Sequence, residues 1–554
     1  MNFEGLTRKV QIRPKKWKQI DMKQNGKIKK KYKIEEALFI IKWGGRITHS
    51  GIKQTKLLGN TFRTQLYLGN KSTGEDLLRL HSTFQHDLKC YSSEEGRSLK
   101  TAAAFLKGLL QLDGSLIPIV TSMVRNDDKV NMLLDASNSD IEDLRKSVRQ
   151  HLEELFHSKG NLKEKYIQIL FNNIEKEKKN NNIIYDYEKV KLRQKPFFDL
   201  IDEIGNFQSQ MNKIYELLGL IIQHLKTFLC SEEILTECDS YFVRNTFALR
   251  SRRSSLITIK SKFINTMNKI KKHLKKRPNS VNKGKKKEKV EEKQETNTEK
   301  NFYLFDCEEE KVILIFKRYT KLHKEFYNIK TKKFDLGKIP NIYDNIKYDI
   351  IHNKSILSKD GYKLFNIVNK LACFLMPLEY GINIEEKFNI GIKLIKPLLT
   401  KIRNDLLFTN TIELFNNKNE DFLQENKYND INQNDKNVKS RFYFTSQSHL
   451  YALFNSIIYG LNSYLVDDKK NINQIWKIFD LDYCSHIVFR LFENFNVKED
   501  DEKRYRIEII ISSGANKDPK LSDNEHMLSV NPWVVVNDHL TITDINKYFN
   551  FALK

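Results

Sequence analysis

Leu88-Lys89-Cys90-Tyr91-Ser92-Ser93-Glu94-Glu95-Gly96-Arg97, running on into Ser98 to Leu112, is the stretch on which the reading of the fold turns. It opens on a strand-like run, and beyond it Leu99, Ala102, Ala103, Leu106, Leu109 and Leu110 recur at helical spacing. Ser92-x-x-Glu95 has the form of a capping box, which predicts a helix from Ser92 with Arg97 about one turn inside it. A strand thus hands over to a helix beside an arginine. Such a junction aims unpaired backbone N–H groups and the positive end of the helix dipole at one spot, where a guanidinium grips phosphate oxygens bidentately. The same residues fit a plainer arrangement, an ion pair of Arg97 with Glu94 or Glu95.

Working outward, Arg79, His81, His86 and Asp87 stand just upstream. The two histidines are five residues apart and share no helix face, and Leu77 to Leu80 reads as strand, so hydrogen-bonded histidines are expected rather than a metal pair. Ala37 to Trp43, stopped by Gly44-Gly45, reads as a buried strand feeding a turn. Further strands are expected at Phe442 to Thr445 and Tyr505 to Ile511. The first of these leads to His449, where ligands bind in open α/β sheets. Ser139-x-x-Glu142 opens a helical stripe of Ile141, Leu144, Val148, Leu152 and Leu155, and helical patterns also run from Leu364 to Leu378 and from Lys387 to Leu407. Strands spread between helices give an α/β body with a helical middle. Asn/Lys-rich stretches at Glu175 to Lys195, Lys269 to Asn301 and Asn416 to Lys439 read as inserted loops. The expected organisation is a basic segment at 1–35, a first core part at 36–135, a helical region at 136–415 with loops at 175–195 and 269–301, an Asn-rich loop at 416–439 and a second core part at 440–554.

With 554 residues and 40% hydrophobic content the chain holds enough apolar material for a large core, which excludes wholesale disorder. No apolar run approaches the ~18 residues of a membrane span and the start lacks a signal-peptide core, so a cytoplasmic protein is expected. Six scattered cysteines without a C-x-x-C pair suggest neither a disulfide framework nor a zinc site. The net charge is +25, yet Arg8 to Lys33 carries +11 and Lys269 to Val290 carries +10, leaving the rest close to balanced. That pattern fits solvated basic loops better than one broad duplex-binding face, and makes nucleic acid an unlikely partner. Dinucleotide, Walker A, nucleophile-elbow and zincin motifs are missing from the sequence.

Larger blocks complete the picture. Lys42-Trp-Gly-Gly-x-x-Thr48-x-x-Gly51-x-x-Gln54-x-x-x-Leu58-Gly59-x-x-Phe62-Arg63, Leu78-Arg-Leu-His-Ser-Thr-Phe-Gln-His-Asp-Leu-Lys89, Tyr91-Ser-Ser-Glu-Glu-Gly-Arg97 and Thr101-Ala-Ala-Ala-Phe105 are followed in order by Lys338-Ile-Pro-Asn-Ile-Tyr-Asp344, Lys347-Tyr-Asp349, His352-Asn353, Glu379-Tyr-Gly381, Glu385-Glu-Lys387, Pro397-Leu-Leu399, Arg441-Phe-Tyr-Phe-Thr-Ser446 with Ser448-His449, and Arg504-Tyr505. Together they closely resemble the histidine-acid-phosphatase-like domain of the diphosphoinositol pentakisphosphate kinase family, from about Arg8 to about Gly514. The resemblance implies a histidine phosphatase α/β/α sandwich with a large helical insertion. It also implies a C-terminal half that removes the phosphate a separate ATP-grasp half adds to inositol hexakisphosphate or its 5-diphospho derivative. Position by position, Arg97 matches the family's phosphate-clamping arginine and His449 its late pocket histidine. Arg79, His81, Lys42, Arg8 and Lys9 fall in matching blocks and are phosphate-binding candidates. The partners implied are inositol polyphosphates and pyrophosphates, with anionic lipid headgroups as a further ligand of the basic segments. This part implies no cofactor or metal; ATP and Mg2+ belong to the kinase half.

One departure carries weight. The family's nucleophile lies in an Arg-His-Gly-x-Arg-Thr-Pro motif on the first sheet strand, upstream of the Arg8 to Gln11 block, and no Arg-His dipeptide occurs in the 554 residues. Gln447 and Gln85 stand where relatives tend to carry Glu and Arg. The expectation is a chain without phosphatase turnover whose first core strand is missing, either a piece of a longer product or a non-catalytic inositol-polyphosphate-binding domain. A basic nucleic-acid-associated protein is the remaining alternative.

Overall fold

The computed structural model describes residues 8–24, 27–43, 46–67, 88–112, 121, 123–134, 139–157, 161–179, 187–231, 307–407, 440–460, 465–467, 474–498, 501–516 and 529–554. In chain order, β1 (Arg8–Gln24) and β2 (Lys27–Trp43) form an antiparallel hairpin that is a sheet of its own. α1 (His49–Thr61) begins where Gly51 N–H donates to the Thr48 hydroxyl at 3.0 Å. β3 (Leu88–Ser92), α2 (Gly96–Leu109), β4 (Val124–Arg125) and α3 (Asp128–Leu134) follow. The helical middle comprises α4 (Ser139–His157), α5 (Leu162–Lys179), α6 (Tyr187–Ile204), α7 (Phe207–Ser231) and α8 (Cys307–Phe326). It continues through the short pair β5 (Tyr327–Asn328) and β6 (Lys333–Phe334) into α9 (Ile339–His352), α10 (Lys359–Leu378) and α11 (Ile384–Leu407). The chain then returns to β structure with β7 (Ser440–Phe444), α12 (Gln447–Tyr459), β8 (His486–Glu493), β9 (Tyr505–Ser512) and β10 (Val534–Leu540), and ends in α13 (Ile542–Ala552).

Two three-stranded sheets lie at the centre: β4-β3-β7, all parallel, and β10-β9-β8, all antiparallel. Alternation along their strands shows that they form one layer. Cys90, Phe442, Phe444, Val488 and Ile510 pack to the side covered by α1 and α2. Their neighbours Tyr91, Tyr443, Ile487, Phe489, Ile509 and Ile511 pack to the side covered by α11, α12 and α13. Every strand with both faces covered needs apolar residues on both, as these have. The result is an α/β/α sandwich, with the helical middle building a separate core around Tyr166, Ile214, Leu218, Tyr319 and Phe374. The expected α/β architecture with a large helical insertion is therefore the one the chain adopts, and the helices expected at 364–378 and 387–407 are present in α10 and α11.

Several expectations are corrected. Ser92 does not open a helix: it ends β3, paired with Phe444, and α2 begins at Gly96 with Glu95 at its cap. Sheet pairing outcompetes the local capping pattern, and Arg97 falls in the first turn. The Asn/Lys-rich stretch 175–195 is largely helical, ending α5 and opening α6 around residues 180–186, because Val190 and Phe197 give α6 an apolar side buried in the helical core. The basic segment up to Lys33 is not a solvated loop but both strands of the hairpin, and the predicted strand at 37–43 is the end of β2, where Ala37 is exposed rather than buried. The loops at 269–301 and 416–439, the strand at 77–80 and Gly44-Gly45 lie outside the described residues.

α1 and α2 touch backbone to backbone. A Cβ on Gly59 would come within 2.1 Å of the Phe105 carbonyl oxygen, and one on Gly108 within 1.9 Å of the Lys56 carbonyl oxygen. Beside this crossing, the Phe62 ring packs edge-on against Phe105, His486 and Trp533, at centroid distances of 5.1, 5.1 and 5.8 Å. The His486 imidazole is held neutral, its pKa pushed down to about 4 by burial against these rings. Its Nδ1 hydrogen-bonds the Cys484 carbonyl at 2.7 Å, so Nε2 is the acceptor for the Trp533 indole N–H at 2.7 Å, an arrangement that protonation would break.

Gly108→Ala is expected to lower stability by about 1–3 kcal/mol through overpacking. Gly96→Ala, with no atom within 4 Å of the added carbon, should leave the calorimetric melting temperature unchanged. Because the folded-state pKa of His486 is depressed, its contribution is complete above the ordinary value near 6.5 and is lost as pH falls towards about 4. Denaturant titrations across that interval should show a steeper loss of stability in the parent than in a His486→Phe variant.

Candidate functional site

A cavity of about 1800 Å3 opens in the central layer. All five residues of β7 and all eight of β8 line it, and each strand has a hydrogen-bonded neighbour on its other side alone among the described residues. Leu58, Phe62, Leu66 and Phe105 reach it from one helical layer, and Leu398, Ile402 and Leu453 from the other. Two strand edges, with apolar side chains above and below, thus border one cavity.

At the polar end, three helices begin. Thr48, Ser50 and Gly51 belong to the start of α1, Glu95, Arg97 and Ser98 to that of α2, and Ser446, Gln447 and Ser448 to that of α12, and all line the cavity. Convergent helix N-termini present N–H donors and positive dipole ends, an environment suited to anions. A hydroxyl relay fixes two of these helices together. Tyr483 OH lies 2.7 Å from Thr55 Oγ1 and 3.1 Å from Thr101 Oγ1, while Thr101 also donates to the Arg97 carbonyl at 2.8 Å.

The cationic side chains of the wall are mostly neutralised. Arg97 forms a bidentate pair with Glu95 at 2.7 and 3.1 Å, which raises the arginine pKa and holds the Glu95 carboxyl below its usual range. Lys347 pairs with Asp482, Arg441 with Asp405 at 3.1 Å, and Arg490 with Glu508 at 2.9 Å. Asp405 also accepts from Tyr443 OH; burial first and this carboxylate second drive that phenol pKa well up. Arg46 and Lys354, both exposed at the cavity, have no carboxylate partner among the described residues. The Arg97 pair is exposed, with 60% of the arginine side chain and 45% of the glutamate in solvent, and such pairs contribute about 0–1 kcal/mol. A dianionic phosphoryl group competes readily with a partner held that weakly.

The structure brings Arg97 and His449 to one cavity. His449 is buried in the first turn of α12, with Nδ1 3.2 Å from the Ser446 hydroxyl. Arg97 adopts the ion pair with Glu95 that the sequence allowed as the plainer arrangement, at the cavity rim rather than turned out of it. Arg8, Lys9 and Lys42 are carried by the hairpin, with Lys9 opposite Lys42 and Arg8 opposite Trp43 in the register. Arg79 and His81 lie outside the described residues, as does Gln85. Gln447 donates to the Leu481 carbonyl at 2.5 Å, a bond that a glutamate at this position makes only if protonated. Sequence reasoning missed Arg46, Lys347, Lys354, Thr55 and Tyr483 as cavity residues. Thr48, the cap of α1, was the available signal for Arg46; nothing local announced Lys354.

Comparison with known proteins agrees with this geometry. The model of the histidine phosphatase superfamily, branch 2, matches residues 6–216 and 253–512. The inositol hexakisphosphate and diphosphoinositol-pentakisphosphate kinase VIP1 of Arabidopsis thaliana is 30% identical over 95% of this chain and 48% of its own length. The kinase of the same name from Caenorhabditis elegans is 30% identical over 96% of this chain and 35% of its own, and human kinase 2 is 28% identical over 93% and 34%. The chain thus spans about half or less of the curated relatives it matches. No solved structure matches it. With the first core part, most of the helical middle and the second core part through β9 inside the matched residues, the chain belongs to the histidine phosphatase superfamily, branch 2.

Proposed function

We propose that this chain is the inositol-pyrophosphate-binding, phosphatase-like portion of a kinase and phosphatase pair acting on inositol hexakisphosphate and diphosphoinositol pentakisphosphate, and that as it stands it binds without turnover. The observation that carries the reading is the convergence of three helix N-termini, Arg97, Arg46 and Lys354 on one cavity. A ligand carrying many phosphates on a small ring takes several such donors at once.

The chemistry of the residues present supports the absence of turnover. A histidine phosphatase needs an imidazole aligned to attack phosphorus and form a phosphohistidine, with cations and a second histidine stabilising the charge that develops. His449 sits inside the first turn of a helix with its Nδ1 engaged by Ser446, a position suited to the second role. The resemblance assigns the attacking histidine to an Arg-His-Gly motif on a strand, and that dipeptide does not occur in these residues. The facing edges of β7 and β8 are where a strand bearing it fits.

Isothermal calorimetry with inositol hexakisphosphate tests the binding site. Arg97→Ala is expected to weaken affinity roughly tenfold or more, the loss of charge-assisted hydrogen bonds. Glu95→Gln should tighten it by up to about fivefold by freeing the guanidinium. Equal affinities in all three proteins contradict the site. Phosphate release from a diphosphoinositol substrate is expected to stay at the buffer rate, and turnover that survives purification contradicts the second half of the reading.

A further inference from the structure

Leu481, Asp482 and Tyr483, in the segment that leads into β8, line the cavity, whereas Asp480 is buried and forms no part of the lining. The two carboxylate oxygens of Asp480 are divided between two helices. Oδ1 accepts the Tyr451 O–H at 3.1 Å and Oδ2 the Tyr343 O–H at 3.4 Å. Tyr451 belongs to α12 and to the core of the sandwich, Tyr343 to α9 and to the core of the helical middle. Both phenols are buried, and burial first and the Asp480 charge second raise their pKa values, so each keeps its proton at neutral pH. The next two residues repeat the bridge. Leu481 N–H donates to the Tyr451 oxygen at 3.2 Å, and its carbonyl accepts from Gln447, in the first turn of α12, at 2.5 Å. Asp482 pairs with Lys347 of α9, and its N–H donates to the Ser513 carbonyl at 2.9 Å, just past β9. Three consecutive residues therefore tie α9 to α12 and anchor both to the sheet.

What these helices carry gives the tie its consequence. α9 and the turn after it bring Lys347 and Lys354 to the cavity, and α12 brings His449. We propose that Asp480 is a positioning residue of the anion site: it fixes the spacing between the lysines of α9 and the start of α12, and so sets the cavity's preference for a ligand whose phosphates reach both over a single phosphate. The inference takes its ligand class from the function proposed above. A carboxylate suits the task because it offers an acceptor oxygen to each helix, whereas an amide offers one. Buried polar links of this kind fix one arrangement of two cores more sharply than apolar contact does. A ring bearing several phosphates engages both helices at once and loses affinity when they shift, while inorganic phosphate engages one and does not.

Calorimetry on the full chain with two probes, inositol hexakisphosphate and inorganic phosphate, tests it in Asp480→Asn and in the milder Tyr343→Phe. Both variants are expected to bind the hexakisphosphate about fivefold or more weakly, and inorganic phosphate within about twofold of the parent. The double variant should be no weaker than the weaker single, because the two substitutions cut one connection. In the ligand-free chain, amide exchange in Asp480→Asn should accelerate at residues 347–354 and at 447–451 together. Equal losses for both probes, additive losses in the double variant, or unchanged affinity for the hexakisphosphate overturns the proposal, as does exchange that rises in only one of the two segments. A parent that binds neither probe contradicts the function proposed above instead, and the exchange result then decides the tie by itself.

Discussion

Backbone hydrogen bonding along two strand edges governs this structure. β7 is paired to β3 and β8 to β9, and the other edge of each faces the same cavity. Because the strands of both sheets send alternate side chains into the same two cores, the halves belong to one layer and the gap lies within it rather than beside it. A strand inside a covered sheet normally satisfies its N–H and C=O groups on both sides, so such a gap is costly if left dry and useful if filled. Contacts that span it are made by rings: Phe62 touches Phe442 on one sheet, at 6.2 Å between centroids, and His486 on the other.

The electrostatics follow from the same layout. β3 and β7 hand over to α2 and α12 at one side of the layer, and the start of α1, which follows the hairpin, lines the same cavity. The wall cations are largely balanced by Glu95, Asp405, Asp482 and Glu508, so the preference for anions rests on helix ends and on a few exchangeable side chains rather than on net charge. That also explains why a total of +25 was a poor guide to the site. Much of that charge lies in Arg8 to Lys33, which folds as the hairpin.

Strand β9, helices α10 and α11 and the handover from β3 to α2 were legible in the sequence, because each buries residues at its own period. The start of α2 was misplaced because Ser92 carries two compatible signals, a cap and a strand end, and pairing with β7, some 350 residues away, decides between them. α6 was missed at its start because its buried side is sparse in sequence, with Val190 followed only at Phe197 by another apolar residue of the core. Arg97 and His449 were legible from the strand-to-helix handovers that carry them, and the resemblance added their expected roles. Lys354 and Lys347 were not, since only tertiary contacts such as that of Lys347 with Asp482, ahead of β8, carry α9 and the turn after it to the cavity.

Amide hydrogen exchange along β7 and β8 tests the central claim most directly. In the chain alone, alternate amides should divide into two classes: those turned towards β3 and β9 protected, and those turned towards the gap exchanging at least a hundredfold faster, a difference of about 2.7 kcal/mol in opening free energy. Uniform strong protection along both strands would mean that their edges are already satisfied and that no strand-shaped gap exists.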